Sequence, residues 1–140
     1  IYLSKFIKQN SIYSIGKANN KEIDDLNILK ATNLSMIRSF EKFKKTKNYV
    51  KIDGIKSFTL NNRTTFIKSG DQKSISIAAA SIVAKTWRDK LMKNYSTIYP
   101  MYGLEKNKGY GTREHRDAII KFGITKIHRK SFLINLLRSG

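Results

Sequence analysis

Between Ser74 and Asp89 the chain reads SISIAAASIVAKTWRD. A row of small residues, suited to close helix packing, runs straight into Lys85, Arg88 and Asp89. The pattern predicts a long helix from about Ser76 to Tyr95. Ser81, Lys85 and Asp89 follow at four-residue steps and form one polar ribbon along it. Ala80, Ala84, Trp87 and Leu91 are expected to pack inward. A packing helix has no need of a carboxylate at Asp89. Either it pairs with Lys85 on the surface or it does chemistry, and Lys preceding Asp is the weaker orientation for a helical ion pair.

The flanking segments set this helix in an α/β context. SIYSIGKA (Ser11–Ala18) alternates apolar and polar residues and predicts a strand. NNKEIDDLN reads as a polar turn or short helical segment, and Asn27 is placed to cap a helix from Ile28 to about Lys45. Leu29, Met36, Phe40 and Phe43 give that helix an apolar stripe. YVKID (Tyr49–Asp53) and RTTFIKS (Arg63–Ser69) predict strands ended by Gly54 and by Gly70-Asp71. YPMYGLEKNKGYGT (Tyr99–Thr112), with three glycines and a proline, predicts a loop. Thr112 is a cap for a helix over Arg113–Phe122, with Gly123 just past its end. Alternating strands and helices without a linker predict a single α/β domain over residues 1–140.

That domain carries 28 Lys and Arg against 10 Asp and Glu, a formal charge of +18. Ten of the cations fall in residues 1–50, seven in 51–89 and eleven in 90–140. The charge therefore belongs to the whole chain rather than to a tail, and it points to a polyanionic partner, nucleic acid first. With no cysteine, disulfides and thiolate metal sites are excluded and a reducing compartment fits. No apolar run approaches the ~18 residues of a membrane span, and no signal peptide is visible. A cytoplasmic monomer with no membrane partner is expected. The opening IYLSKFIKQN has no initiator Met, and Ile1, Leu3, Phe6 and Ile7 read as the last turns of a helix already under way. The chain is expected to be cut at its front.

Chemistry is concentrated at a few positions. Asp53 ends a strand, where ligands of open α/β sheets gather, although taken alone an Asp-Gly turn is the commoner reason for such a pair. Tyr49, Lys51 and Asp53 share one strand face, and Val50 and Ile52 share the other. Lys106, Lys108 and Tyr110 stand among loop glycines, where cations meet phosphates and a ring stacks on a sugar or base. HRKSF (His128–Phe132) adds a second basic cluster. His115, three residues after its cap, reads as structural, and no metal-binding pair with the distant His128 is expected.

IAAASIVAKTWRDKLM, YGLEKNKGYGT and HRKSF, together with GKANNKEIDDLNILKATNLSM and YVKIDG, resemble type 2 ribonuclease H (ribonuclease HII) in order and spacing. The resemblance runs from near residue 1 to about Phe132. It implies a ribonuclease H-like α/β fold, with a mixed central sheet flanked by helices. It also implies an endonuclease that hydrolyses the RNA strand of RNA–DNA hybrids and nicks DNA 5′ to a lone ribonucleotide. Members use Mg²⁺ or Mn²⁺ held by four acidic residues, of which the third matches Asp53 and the fourth Asp89. The tyrosine that reads the DNA–RNA junction matches Tyr110, and Ser81, Lys85 and Lys108 are expected to bind substrate with it.

The family's first two carboxylates, its Gly-Arg-Gly motif and its Asp-Ser-Lys motif match nothing in the chain. The N-terminal strands are therefore expected to be absent, leaving the C-terminal two-thirds of the pattern and an incomplete catalytic set. Asp53 and Asp89 are expected to converge on one cleft. The alternative is a non-catalytic basic module that binds nucleic acid. It accounts for +18 but not for acids at Asp53 and Asp89.

Overall fold

Residues 2–131 are described by the computed structural model. They form a mixed α/β chain of two units, Ile1–Ala84 and Lys85–Gly140.

The first unit opens with α1 (Tyr2–Asn10). Its apolar stripe is largely uncovered: Tyr2, Leu3 and Phe6 are exposed, while Ser4 is buried. The Ser4 hydroxyl has no hydrogen-bond partner among the described residues. The expected strand over Ser11–Ala18 does not form. Its backbone is claimed by side chains instead: Arg38 Nη1 donates to Lys17 O at 2.8 Å and Lys42 Nζ to Tyr13 O at 3.1 Å. Gly16 lies so close to the next long helix that a Cβ there would stand 1.8 Å from Ser35 O.

Helix α2 (Asn20–Leu26) is fixed by a capping box, in which Asn19 and Glu22 each accept the other's backbone N–H at 2.8 Å. Glu22 also takes a two-pronged contact from Arg38, at 2.9 and 2.6 Å. Those hydrogen bonds, the Arg38 one first, bring the Glu22 pKa down to about 2. Asn27 caps α3 (Ile28–Phe40), its side chain accepting from Lys30 N at 3.1 Å. The helix stops short of Lys45. It tightens into a 3-10 turn over Glu41–Phe43, and Thr46 takes the Phe43 carbonyl with both its N–H and its hydroxyl.

Strands β1 (Val50–Asp53) and β2 (Thr64–Ile67) pair in parallel, with Ile52 opposite Phe66 and Asp53 opposite Ile67. Ile52 is buried, whereas Lys51 and Asp53 are exposed, as the alternation requires. The short α4 (Gly70–Lys73) leads into α5 (Ile75–Ile98). The inward face of α5 differs from expectation: Ala80 and Ala84 are exposed, and Ile77 and Val83 are buried. Small residues surround this part of the helix, so spacing alone selects no face. The aliphatics take the interior because they remove more apolar area from water.

The second unit begins inside α5. The expected loop over Tyr99–Thr112 contains a 3-10 turn, Pro100–Tyr102, and the one-turn helix α6, Leu104–Asn107. Left-handed backbone at Gly103 (φ 61°) and Lys108 (φ 51°) breaks the chain on either side of α6. Helix α7 (Arg113–Phe122) starts at the Thr112 cap, as expected. Tyr102, Leu104, Ala118 and Ile119 form its core, with Tyr95, Tyr99 and Ile127 packed around them. The Tyr102 hydroxyl donates to Gly123 O at 2.8 Å and ties the end of α7 to this core. Phe132 of the second basic cluster lies outside the described residues. No helix among the described residues is long and apolar enough to cross a membrane.

Candidate functional site

Two constellations carry polar chemistry, one in each unit. In the first, Asp53 occupies the carboxyl end of β1, and Gly54 follows at φ 107°, a left-handed conformation that favours glycine. Across the parallel pair, β2 leads through Ser69 to Gly70, whose N–H donates to Asp53 Oδ1 at 2.7 Å. A Cβ at Gly70 would stand 2.6 Å from Ile77 Cδ1 and 3.4 Å from Asp53 Oδ1. Glycine is therefore what lets the backbone approach the carboxylate. Asp53 both shapes this turn and presents an exposed anion at the strand end. It is also among the residues lining a mostly apolar hollow of about 170 Å³ walled by Leu29, Met36, Ile52, Phe58 and Phe66.

The second constellation surrounds Tyr110, whose side chain is 65% exposed. Its loop is held from several directions. Buried Asn107 donates to Tyr102 O at 2.7 Å and accepts from Gly109 N at 2.8 Å. Tyr110 N donates to Asn107 O, and Thr112 N to Tyr110 O, both at 2.8 Å. Arg88 Nη2 donates to Lys108 O at 2.9 Å, and its guanidinium stands 5.6 Å from the centre of the Tyr110 ring. The structure thus groups Tyr110 and Lys108 with Arg88. That arginine was visible beside Asp89 in the sequence, but nothing there showed what it holds.

Ser81, Lys85 and Asp89 all lie on α5, the first two exposed and Asp89 half-buried. Lys85 and Asp89 form no ion pair, so a surface pair does not explain the carboxylate. Asp53 belongs to the first unit and Asp89 to the second. Among the described residues no three His, Cys, Asp or Glu gather into a group that could hold a metal ion. These residues do not by themselves make a metal cage.

The two histidines, separate in the sequence, are brought together by the fold. His115 of α7 and His128 meet with their Nε2 atoms 3.1 Å apart, and both are buried. Thirteen residues separate them, a spacing that carries no helical or strand period. Burial, with the neighbouring His115 adding to it, lowers the His128 pKa.

The ribonuclease HII family model matches residues 2–135. The chain belongs to the ribonuclease HII family. It is 48% identical over 136 residues to a ribonuclease HII of Clostridioides difficile (strain 630), which covers 96% of this chain and 53% of that protein. It is 50% identical over 131 residues to a ribonuclease HII of Pelagibacter ubique (strain HTCC1062), covering 93% of this chain and 70% of the relative. With a ribonuclease HII of Caldicellulosiruptor saccharolyticus the identity is 43% over 134 residues, covering 96% and 65%. The chain thus spans about half to two-thirds of the length of these ribonuclease HII relatives. Its mixed α/β character, with a small parallel strand pair among helices, agrees with the ribonuclease H-like fold expected of a member.

Proposed function

We propose that this chain carries the substrate-reading surface, and part of the metal-holding set, of an endonuclease. Its substrates are RNA–DNA hybrids and duplex DNA with embedded ribonucleotides, nicked on the 5′ side of the ribonucleotide. The observation that supports this reading most is the family match across residues 2–135. Asp53 and Asp89 are assigned as carboxylate ligands for Mg²⁺ or Mn²⁺, completed by substrate phosphate, water and further acids. When bound, a metal pair would stabilise charge on the attacking and leaving oxygens. Tyr110 presents its ring to the sugar at the DNA–RNA junction. Ser81, Lys85 and Lys108 meet the phosphate backbone, which positions the duplex without reading sequence.

The test is a nicking assay on duplex DNA containing one ribonucleotide, with Mg²⁺ or Mn²⁺. It compares the 140-residue chain with one extended at its front by a family segment that supplies two more acids. The extended chain is expected to nick, and Asp53→Asn or Asp89→Asn to abolish nicking with the fold intact. At position 53 the fold survives because an Asn oxygen can still accept the Gly70 N–H. A folded but inert extended chain sinks the nuclease reading. Robust cleavage by the 140-residue chain would show instead that its own acids suffice.

The formal charge of +18 and the lack of a three-acid group among the described residues favour a second reading, a non-catalytic nucleic-acid-binding module. Both readings predict steep salt dependence. Six to ten phosphate contacts lose about 10³- to 10⁵-fold in affinity between about 50 and 200 mM salt. They part on metal and on Tyr110. A plain module ignores Mg²⁺ beyond its ionic strength. In the nuclease reading, Tyr110→Ala weakens junction preference and leaves the salt slope unchanged, because no charge is removed.

A further inference from the structure

The two histidines of the chain form a buried, directed hydrogen-bond chain that ends on the backbone of Tyr110. Its direction follows from its two ends, a Tyr110 carbonyl that can only accept and a Thr125 whose N–H and hydroxyl both reach His128 Nδ1, the hydroxyl at 2.9 Å. Thr125 N–H donates to His128 Nδ1 at 3.0 Å, so that nitrogen carries no proton. The proton of neutral His128 is then on Nε2, which faces His115 Nε2 at 3.1 Å and donates to it. His115 must in turn carry its proton on Nδ1, which lies 2.9 Å from Tyr110 O. The order is Thr125 N–H to His128, His128 to His115, and His115 to the Tyr110 carbonyl. Each imidazole is fixed in one tautomer by the partner on its other side.

Two other uses of such a pair fit less well. The spacing of the two nitrogens would suit a transition metal bound at about 2.0–2.1 Å from each, but the described residues offer no third His, Cys, Asp or Glu to complete a site. General acid–base work needs contact with substrate. Yet His115 and His128 are only 3% and 7% exposed, and the Tyr102 ring packs 4.8 Å from His128 and 6.3 Å from His115.

We propose that His115, backed by His128, is a positioning residue that clamps the Tyr110 backbone so that its exposed ring is presented in one orientation. Arg88 steadies the other side of the same turn through Lys108 O. The Tyr110 carbonyl is thereby held by α7 as well as by Thr112 N–H, while the ring, with Arg88 near it, stays exposed. The functional half of this proposal rests on the reading of Tyr110 as the junction contact. The clamp itself does not.

The experiment separates the two. In the 140-residue chain, His115→Phe keeps the ring shape and removes the donor. Amide exchange at Tyr110 and Thr112 is expected to quicken about five- to tenfold, the scale of one intramolecular hydrogen bond, with Ala118 and Ile119 unchanged. His115→Asn, whose amide nitrogen can replace Nδ1, is expected to restore most of the protection. Preference for a duplex with one ribonucleotide over all-DNA duplex is expected to fall by a similar factor in His115→Phe. In a Tyr110→Ala background His115→Phe should lower it no further. Unchanged exchange at Tyr110 and Thr112 in a folded His115→Phe chain overturns the clamp, as does an equal rise across α7. Quickened exchange with a junction preference that Tyr110→Ala leaves intact supports the clamp and removes the junction reading. If neither variant folds, the imidazole nitrogen shifts of the unsubstituted chain decide. The clamp requires Nδ1–H at His115 and Nε2–H at His128, and the reverse pair of tautomers overturns it.

Discussion

In the second unit Tyr102, Leu104, Ala118 and Ile119 close on one another, and the polar groups they enclose, Asn107 and the histidine pair, are hydrogen-bonded. In the first, the buried apolar side chains Ala31, Ile52, Ile77 and Val83 are scattered over α3, β1 and α5. Around them Tyr2, Leu3, Phe6, Tyr49, Ile55 and Ile75 face solvent, and the Ser4 hydroxyl is buried without a partner among the described residues. The second unit exposes large apolar residues too, Ile98 and Ile120 among them, but around a contiguous centre. The difference teaches which kind of interior a chain segment can complete by itself. Residues 95–128 reach each other over short chain distances. A two-stranded sheet is marginal alone and needs a covering layer or further strands.

The sharpest test of that contrast is Leu104→Ala. Leu104 is the largest fully buried side chain among the described residues, at 1% exposure. Its loss is expected to cost about 2–5 kcal/mol, read as a fall in denaturation midpoint and in exchange protection across α7. A small cost would show that the second unit is as loosely assembled as the first.

Gly16→Ala probes a place where the first unit is tightly packed. The added methyl meets the α3 backbone at Ser35 O and Ser39 N, not a side chain that can swing away. A loss of about 3 kcal/mol is expected, at the upper end of ordinary overpacking. Wild-type stability in this variant would mean that residues 11–19 do not lie against α3.

Acid should weaken the units unequally. The His128 pKa is lowered from 6.5, first by burial and then by His115 beside it. The unfolded chain therefore binds that proton more readily than the folded one. The resulting stability is complete above pH 6.5 and is lost as the pH falls toward the depressed folded value. Among the groups facing His128 are His115 of α7, the Tyr102 ring, and the Thr125 N–H and hydroxyl. Residues 1–84 contain no histidine, and Glu22 keeps its charge down to about pH 2. Amide exchange followed from pH 7.5 to 5, corrected for intrinsic rates, should show protection falling at Ile119 and holding at Ala31. Equal falls would place the acid-sensitive group elsewhere.

The smallest effect is expected at Leu3, which is 53% exposed on α1. Leu3→Ala should change stability by less than about 0.5 kcal/mol. A larger loss in a chemical denaturation curve would reveal a covering contact on that face.

How much of this was legible in the sequence varied with the range of the deciding interaction. Asn27 and Thr112 announced their helices because a cap acts within three residues. The alternation in VKID put Ile52 and Asp53 on opposite faces, and the fold buries the Ile52 side. Ser11–Ala18 misled because Arg38 and Lys42, more than twenty residues away, take its carbonyls. Ala80 and Ala84 misled because a helix small on all sides offers no stripe to read. At the site, Tyr110 and Asp53 stood out by their glycine neighbours. Arg88 reached Lys108 across twenty residues, and the histidines met across thirteen. No periodicity encodes either contact.

The strand pair described above has a practical consequence. β1 and β2 each use only one side for pairing among the described residues. An unpaired strand edge is a template for another copy. What opposes such stacking here is mutual repulsion between chains of formal charge +18, with Lys51 on β1 itself. Salt screens that repulsion, shortening its reach from ~10 Å at 0.1 M to ~3 Å at 1 M. High salt is therefore expected to bring these edges within reach of one another, read as light scattering that rises with ionic strength.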